Sequence, residues 1–129
     1  MNPMKRVGLA VVLLIGVTLL ATTPARAGDT YELENVSDDE PLATGQVRLG
    51  KWTGQWLVKA TVSCQNLTPG ATYSVELGFG GSVGTFTASR NGTGKYDGTM
   101  VIDPFTGSYV RVNRVNPDGS QNGVLWFHW

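Results

Sequence analysis

Between Gln55 and Cys64 the chain alternates residue by residue. Trp56, Val58, Ala60, Val62 and Cys64 share one parity; Leu57, Lys59, Thr61 and Ser63 share the other. Successive side chains on a strand point to opposite faces, whereas a helix needs an apolar repeat near 3.6. The stretch is therefore a half-buried strand, and its period returns downstream. Tyr73, Val75 and Leu77 alternate with Ser74 and Glu76, and Tyr96, Met100 and Ile102 oppose Lys95, Asp97, Thr99 and Val101. No segment after Gly28 has convincing helical periodicity. Strands are predicted over 46–49, 55–64, 72–78, 83–89, 94–102, 108–115 and 124–129. Asn91-Gly92 reads as a tight hairpin turn, because that dipeptide readily takes positive φ. Asp103-Pro104-Phe105-Thr106-Gly107 and the polar run Asn116–Gly123 read as loops.

Seven short strands spaced by about a dozen residues make an all-β chain. The expected fold is an immunoglobulin-like antiparallel two-sheet sandwich, with a small up-and-down β-barrel as the alternative. The barrel draws on Gly50-Lys51-Trp52, which resembles the Gly-x-Trp that opens lipocalin and avidin-type barrels. The last strand is apolar on both parities, with Leu125, Phe127 and Trp129 on one and Trp126 beside His128 on the other. Central packing is the default for such a strand.

The start of the chain reads as an export signal. Lys5 and Arg6 precede the apolar run Val7–Leu20, and Ala25-Arg26-Ala27 is the small-x-small pattern that a signal peptidase needs. The run is too short for a comfortable membrane span. The expected organisation is a cleaved signal peptide over 1–27, an acidic leader over 28–42 and a β-sandwich over 43–129, exported to the periplasm or beyond the cell. Removing the signal leaves ten acids against seven bases, about −3. Six of those acids, Asp29, Glu32, Glu34, Asp38, Asp39 and Glu40, precede every base of the mature chain. Such a leader is a solvated flexible arm or an edge segment lying across the mildly basic body. Neither balance argues for nucleic acid or an anionic membrane.

Leu67-Thr68-Pro69-Gly70-Ala71-Thr72-Tyr73-Ser74-Val75 resembles the tyrosine corner of fibronectin type III and related immunoglobulin-like sandwiches. In that corner Leu67 and Pro69 would make the crossing between sheets, and Tyr73 would bury its ring and bond its hydroxyl to backbone just upstream. With Ala43–Leu49, Val83–Thr87, Asn91–Gly94 and Gly123–Leu125, the pattern resembles a loose group of small exported all-β domains of unknown function, over about residues 43–127. The resemblance implies a fold and no activity. The chain lacks the early-strand Trp of true fibronectin modules.

Candidate chemistry is sparse. His128 is the only histidine and Cys64 the only cysteine, so no internal disulfide forms and no usual zinc site can be assembled. Strand parity makes Cys64 a small buried hydrophobe rather than a reactive thiol. Clustered carboxylates at Asp29–Glu40 and the loop at Asn116–Ser120 lack the spacing of a calcium loop. No metal or cofactor is expected. Asn35, Asn66 and Asn91 head formal glycosylation triplets, read here as turn chemistry. The expected role is a non-catalytic structural or protein-interaction module of the envelope or extracellular space, with an unidentified protein partner. The alternative is a carbohydrate or small-ligand binding module whose flat aromatics are Trp52 and Trp129, Trp56 and Trp126 being assigned to the core.

Overall fold

The computed structural model describes residues 25–129. The signal peptide expected over 1–27, apart from its last three residues, lies outside them. Nine strands follow in order: β1 (Thr30–Glu32), β2 (Glu34–Asn35), β3 (Thr44–Trp52), β4 (Leu57–Gln65), β5 (Thr72–Leu77), β6 (Val83–Thr87), β7 (Gly94–Val101), β8 (Tyr109–Val115) and β9 (Gln121–His128). They form two wholly antiparallel sheets, β1-β3-β4-β7 and β2-β9-β8-β5-β6, that do not close on each other. The fold is a sandwich and not a barrel.

Each of the seven predicted strands is present, with ends shifted by a few residues. With β1 and β2 set aside, the first sheet reads β3-β4-β7 and the second β9-β8-β5-β6. Lettered A to G in chain order, these are A-B-E and G-F-C-D. The constant-type immunoglobulin order differs only in placing the fourth strand beside E.

Alternation decides which face is buried. In β4, Val58, Ala60, Val62 and Cys64 point inward, and in β3 Val47 and Leu49 face them from the same sheet. The second sheet answers with Tyr73, Val75, Leu77, Val110, Val112 and Leu125, each fully buried. At roughly 1.5–3 kcal/mol for each fully buried large apolar side chain, this layer is the main source of stability. Cys64 lies between Gly45 and Gly94 on neighbouring strands, and burial pushes its thiol up to about 12.

Two devices close the open sides of the sandwich. On one side the acidic leader is an edge segment. It pairs with β3 through β1, changes sheet at buried Leu33, and then pairs with β9 through β2. The Leu33 amide still bonds the Gly45 carbonyl in the first sheet, and the Val36 amide bonds Val124 in the second. Covering both edges this way removes two templates for unwanted strand pairing. On the other side, aromatic rings lie over glycines reciprocally. A Cβ on Gly84 would collide with the Tyr96 ring, and one on Gly94 with the Phe86 ring.

The Asn91-Gly92 turn corrects the hairpin expectation. It joins β6 of one sheet to β7 of the other, so its flanking strands do not pair. Only Gly92 has positive φ, at 76°, and the turn is closed by the Gly92 amide on the Ser89 carbonyl. Gly92 also lies against the chain: a Cβ there would meet the Leu67 carbonyl oxygen at 2.6 Å.

Candidate functional site

The predicted corner lies at the first crossing between sheets within the body, from β4 to β5. Pro69 and Gly70 occupy its centre, Gly70 at φ 78°, and the Ala71 amide closes the turn on the Thr68 carbonyl at 3.2 Å. Leu67 is buried and Tyr73 fully so. The Tyr73 hydroxyl accepts from the Thr68 amide at 3.0 Å and donates to Glu40 Oε1 at 2.6 Å. The same carboxylate oxygen is 3.0 Å from the Thr68 amide. Arg114 Nη1 reaches Glu40 Oε2 at 3.4 Å and Thr68 Oγ1 at 3.1 Å.

Glu40 thus ties the leader to the corner, which its place in an acidic run does not announce. Burial works to raise its pKa. The Tyr73, Thr68 and Arg114 donors outweigh burial, and the carboxyl titrates below its ordinary value. Asn35 holds the same segment, donating to the carbonyls of Glu40 and Ala43 at 2.9 Å each. These interactions position backbone where the leader meets the corner.

The outer face of the second sheet is different. Across its strands, Glu34, Trp126, Arg111, Glu76 and Val83 stand in one row. His128 and Tyr109 form the next row. The rings stack on one another: Trp126 on Tyr109 at 5.5 Å, Trp126 on His128 at 6.2 Å, and Phe79 edge-on to Tyr109 at 4.9 Å. The Arg111 guanidinium carbon lies 5.1 Å from the Trp126 ring centre and 5.5 Å from that of Tyr109, within cation–π range. Glu76 balances this charge, 3.9 Å from Arg111, and accepts from the Tyr109 hydroxyl at 3.1 Å. Val36, Phe79 and Val83 are exposed around the patch, Val83 at 71%.

Beside Trp126 the face is hollowed. The hollow, about 330 Å³ and open to solvent, is lined by Val36, Arg111, Asn113, Gly123, Leu125 and Trp126. A register shift between Val112 and Asn113 sets Val124 aside as an extra residue, so that Gly123 pairs with Asn113. Gly123 therefore presents bare backbone where another residue would stand.

The tryptophans do not divide between core and surface as the sequence suggested. Trp52 and Trp129 are both half-buried and pack against the core, Trp52 at the end of β3 and Trp129 just past β9. Trp129 is edge-on to Tyr31 and Phe127, and its Nε1 is buried without a hydrogen-bond partner among the described residues. Trp126, assigned to the core from sequence, stands on the outer face instead. Both parities of β9 are apolar because one builds the core and the other builds the aromatic ladder. Alternation shows that two faces exist, and it cannot say which one is inside when both are apolar.

Cys64 and His128 do not meet. The thiol is in the core face of the first sheet, whereas the imidazole is on the outer face of the second. Among the described residues no group of three or more His, Cys, Asp or Glu could hold a metal ion. In the Asn116–Ser120 loop the Asp118 carboxylate accepts from the Ser120 amide at 2.9 Å and its hydroxyl at 2.6 Å, which is turn chemistry. No described helix is long and apolar enough to cross a membrane.

Fold and surface together define a small two-sheet antiparallel sandwich with an aromatic, partly hollowed outer face on its second sheet. No protein-family model matches the chain, and no curated protein matches it.

Proposed function

We propose that the protein is an exported, non-catalytic interaction module of the cell envelope or extracellular space, and that the outer face of β2-β9-β8-β5-β6 is its binding surface. One observation carries this reading: an aromatic ladder with a balanced Arg–Glu pair, ringed by exposed Val36, Phe79 and Val83, on a face that the fold leaves uncovered. Exposed aromatic and arginine side chains in a contiguous patch are the composition of interaction surfaces. The signal-like N-terminus supports the compartment. The turn at Pro69-Gly70 and the Tyr73 bond to the Thr68 amide support a tyrosine corner of immunoglobulin-like kind, here between the second and third body strands.

The test compares faces. Tagged protein recovered from the exported fraction is used to capture partners from envelope and medium, alongside Trp126→Asp and Lys59→Glu. Trp126→Asp is expected to lose the captured species and Lys59→Glu, on the outer face of the first sheet, to keep it. Equal capture by all three, or repeated capture of nothing, overturns the reading. A second reading, ligand binding, is favoured by the hollow beside Trp126.

A further inference from the structure

We infer that the hollow beside Trp126 is a subsite for one neutral sugar ring, with Trp126, Asn113 and Arg111 as its contacts and Gly123 as its floor. The inference rests on the outer face being the binding surface and names what one part of that face takes.

The indole is the first element. The row of His128 and Tyr109 lies on one side of Trp126 and stacks on it; the row of Gly123 and Asn113 lies on the other, where the hollow is. The indole thus has Tyr109 and His128 on one side and borders the hollow on the other, with the Arg111 guanidinium 5.1 Å from its ring centre. The floor is the second. A Cβ on Gly123 would meet nothing closer than Val36 Cγ2 at 3.6 Å and Asn113 Oδ1 at 3.7 Å. Its φ is not in the left-handed region, so neither strain nor crowding demands glycine here. What glycine does at this point is leave the space empty.

Asn113 supplies the polar element. Its side chain is buried, the residue being 8% exposed, and its amide nitrogen donates to Gln121 Oε1 at 3.3 Å. Among the described residues no hydrogen bond is made to Oδ1, which lies 3.7 Å from where a Cβ on Gly123 would stand. Gln121 Oε1 also accepts from the Ser74 hydroxyl at 2.8 Å, which fixes the amide that Asn113 leans on. A ligand here must bring a donor for Oδ1 and an acceptor for the Arg111 guanidinium, on a body flat and apolar enough for the indole. Hydroxyl groups serve both demands, and the C–H face of a pyranose serves the third.

An aliphatic side chain from a protein partner would cover the indole but strand Oδ1, which costs the full desolvation of a buried acceptor. Charge argues for neutrality, because Glu76 already balances Arg111. The volume suits a single ring at the small end of ligand pockets.

The experiment titrates full-length-encoded protein, purified from the exported fraction, with methyl glycosides of glucose, galactose and N-acetylglucosamine. Backbone and indole amide shifts are followed by NMR. At least one glycoside is expected to move Trp126 Nε1–H, Gly123 and Asn113 saturably, with Kd on the order of 1 mM for a single ring. Gly123→Val, which fills the floor with a strand-favouring residue, is expected to weaken binding roughly tenfold or more. Trp126→Leu and Asn113→Ala read the same loss should that variant fold poorly. Cyclohexanol, a ring without the hydroxyl crown, is expected to bind at least about tenfold more weakly. Absence of shifts with every glycoside, cyclohexanol binding as well as the sugars, or an undiminished response in the folded variants overturns the subsite. If Trp126→Asp still abolishes protein capture in that event, the face is a protein-binding surface and only the sugar assignment falls.

Discussion

The two outer faces of this sandwich are built on the same alternation and differ in almost every side chain. On the first sheet the outward rows are Thr30, Arg48, Thr61 and Asp97, then Glu32, Gln46, Ser63 and Lys95. Their interactions are those of a solvated surface: a Thr61–Asp97 hydrogen bond at 2.6 Å and a wide Lys95–Asp97 pair at 4.0 Å. On the second sheet the outward rows carry Trp126, Arg111, Glu76, Tyr109 and His128 in mutual contact. Folding asks only that an outward face be tolerable in water. The polar face meets that demand and no more; the aromatic face exceeds it, and the excess is where binding is sought.

The comparison can be broken from underneath. Leu125 is fully buried beneath the aromatic face, and its Cδ1 would lie 2.8 Å from a Cβ on Gly45 in the opposite sheet. Leu125→Ala is expected to cost about 2–5 kcal/mol in urea denaturation. A cost below about 1 kcal/mol would mean that the two sheets do not share one tightly packed core.

The next effect concerns the leader, which joins both sheets. Glu40→Gln retains the shape but weakens three donor contacts, and a loss of about 2 kcal/mol is expected at neutral pH. The carboxyl titrates below its ordinary 4.5, so the stability it contributes is present above that value and lost as pH falls through the lower folded one. Urea midpoints of wild type and Glu40→Gln should therefore converge as pH falls below 4.5. Parallel pH profiles for the two proteins would remove Glu40 from the acid response.

Smaller effects separate the faces themselves. Arg111→Ala deletes a cation over two rings and the partner of Glu76, and is expected to cost about 1 kcal/mol by the same denaturation assay. Lys59→Ala on the polar face should stay within about 0.5 kcal/mol. Equal costs at the two positions would show that the aromatic face is energetically ordinary. Acrylamide quenching sharpens the contrast further: Trp126→Phe should change the accessible fluorescence, whereas a dependence on Trp52 or Trp129 alone would return attention to the other tryptophans.

Much of the strand pattern was legible because β4, β5 and β7 alternate cleanly between apolar and polar residues. Asn91-Gly92 misled because a local turn signal says that the chain reverses, and not whether the returning strand pairs in the same sheet. The two leader strands were hidden by their brevity, three and two residues. Edge pairing of that length leaves no periodicity to read. Trp126 escaped for the opposite reason, since a strand apolar on both parities offers no contrast. The hollow depends on a bulge opposite Asn113 and on an empty position at Gly123, features that exist only once β8 and β9 are in register.

Alternation alone determined that this chain is all-β, where most of its strands run and that Cys64 is inside, because side-chain parity follows from backbone geometry. Tertiary structure decided which apolar face of β9 became surface, that an acidic leader closes both sheets, and that Glu40 meets Tyr73 across 33 positions. Those outcomes depend on contacts between segments distant in sequence, whose energies no local pattern encodes.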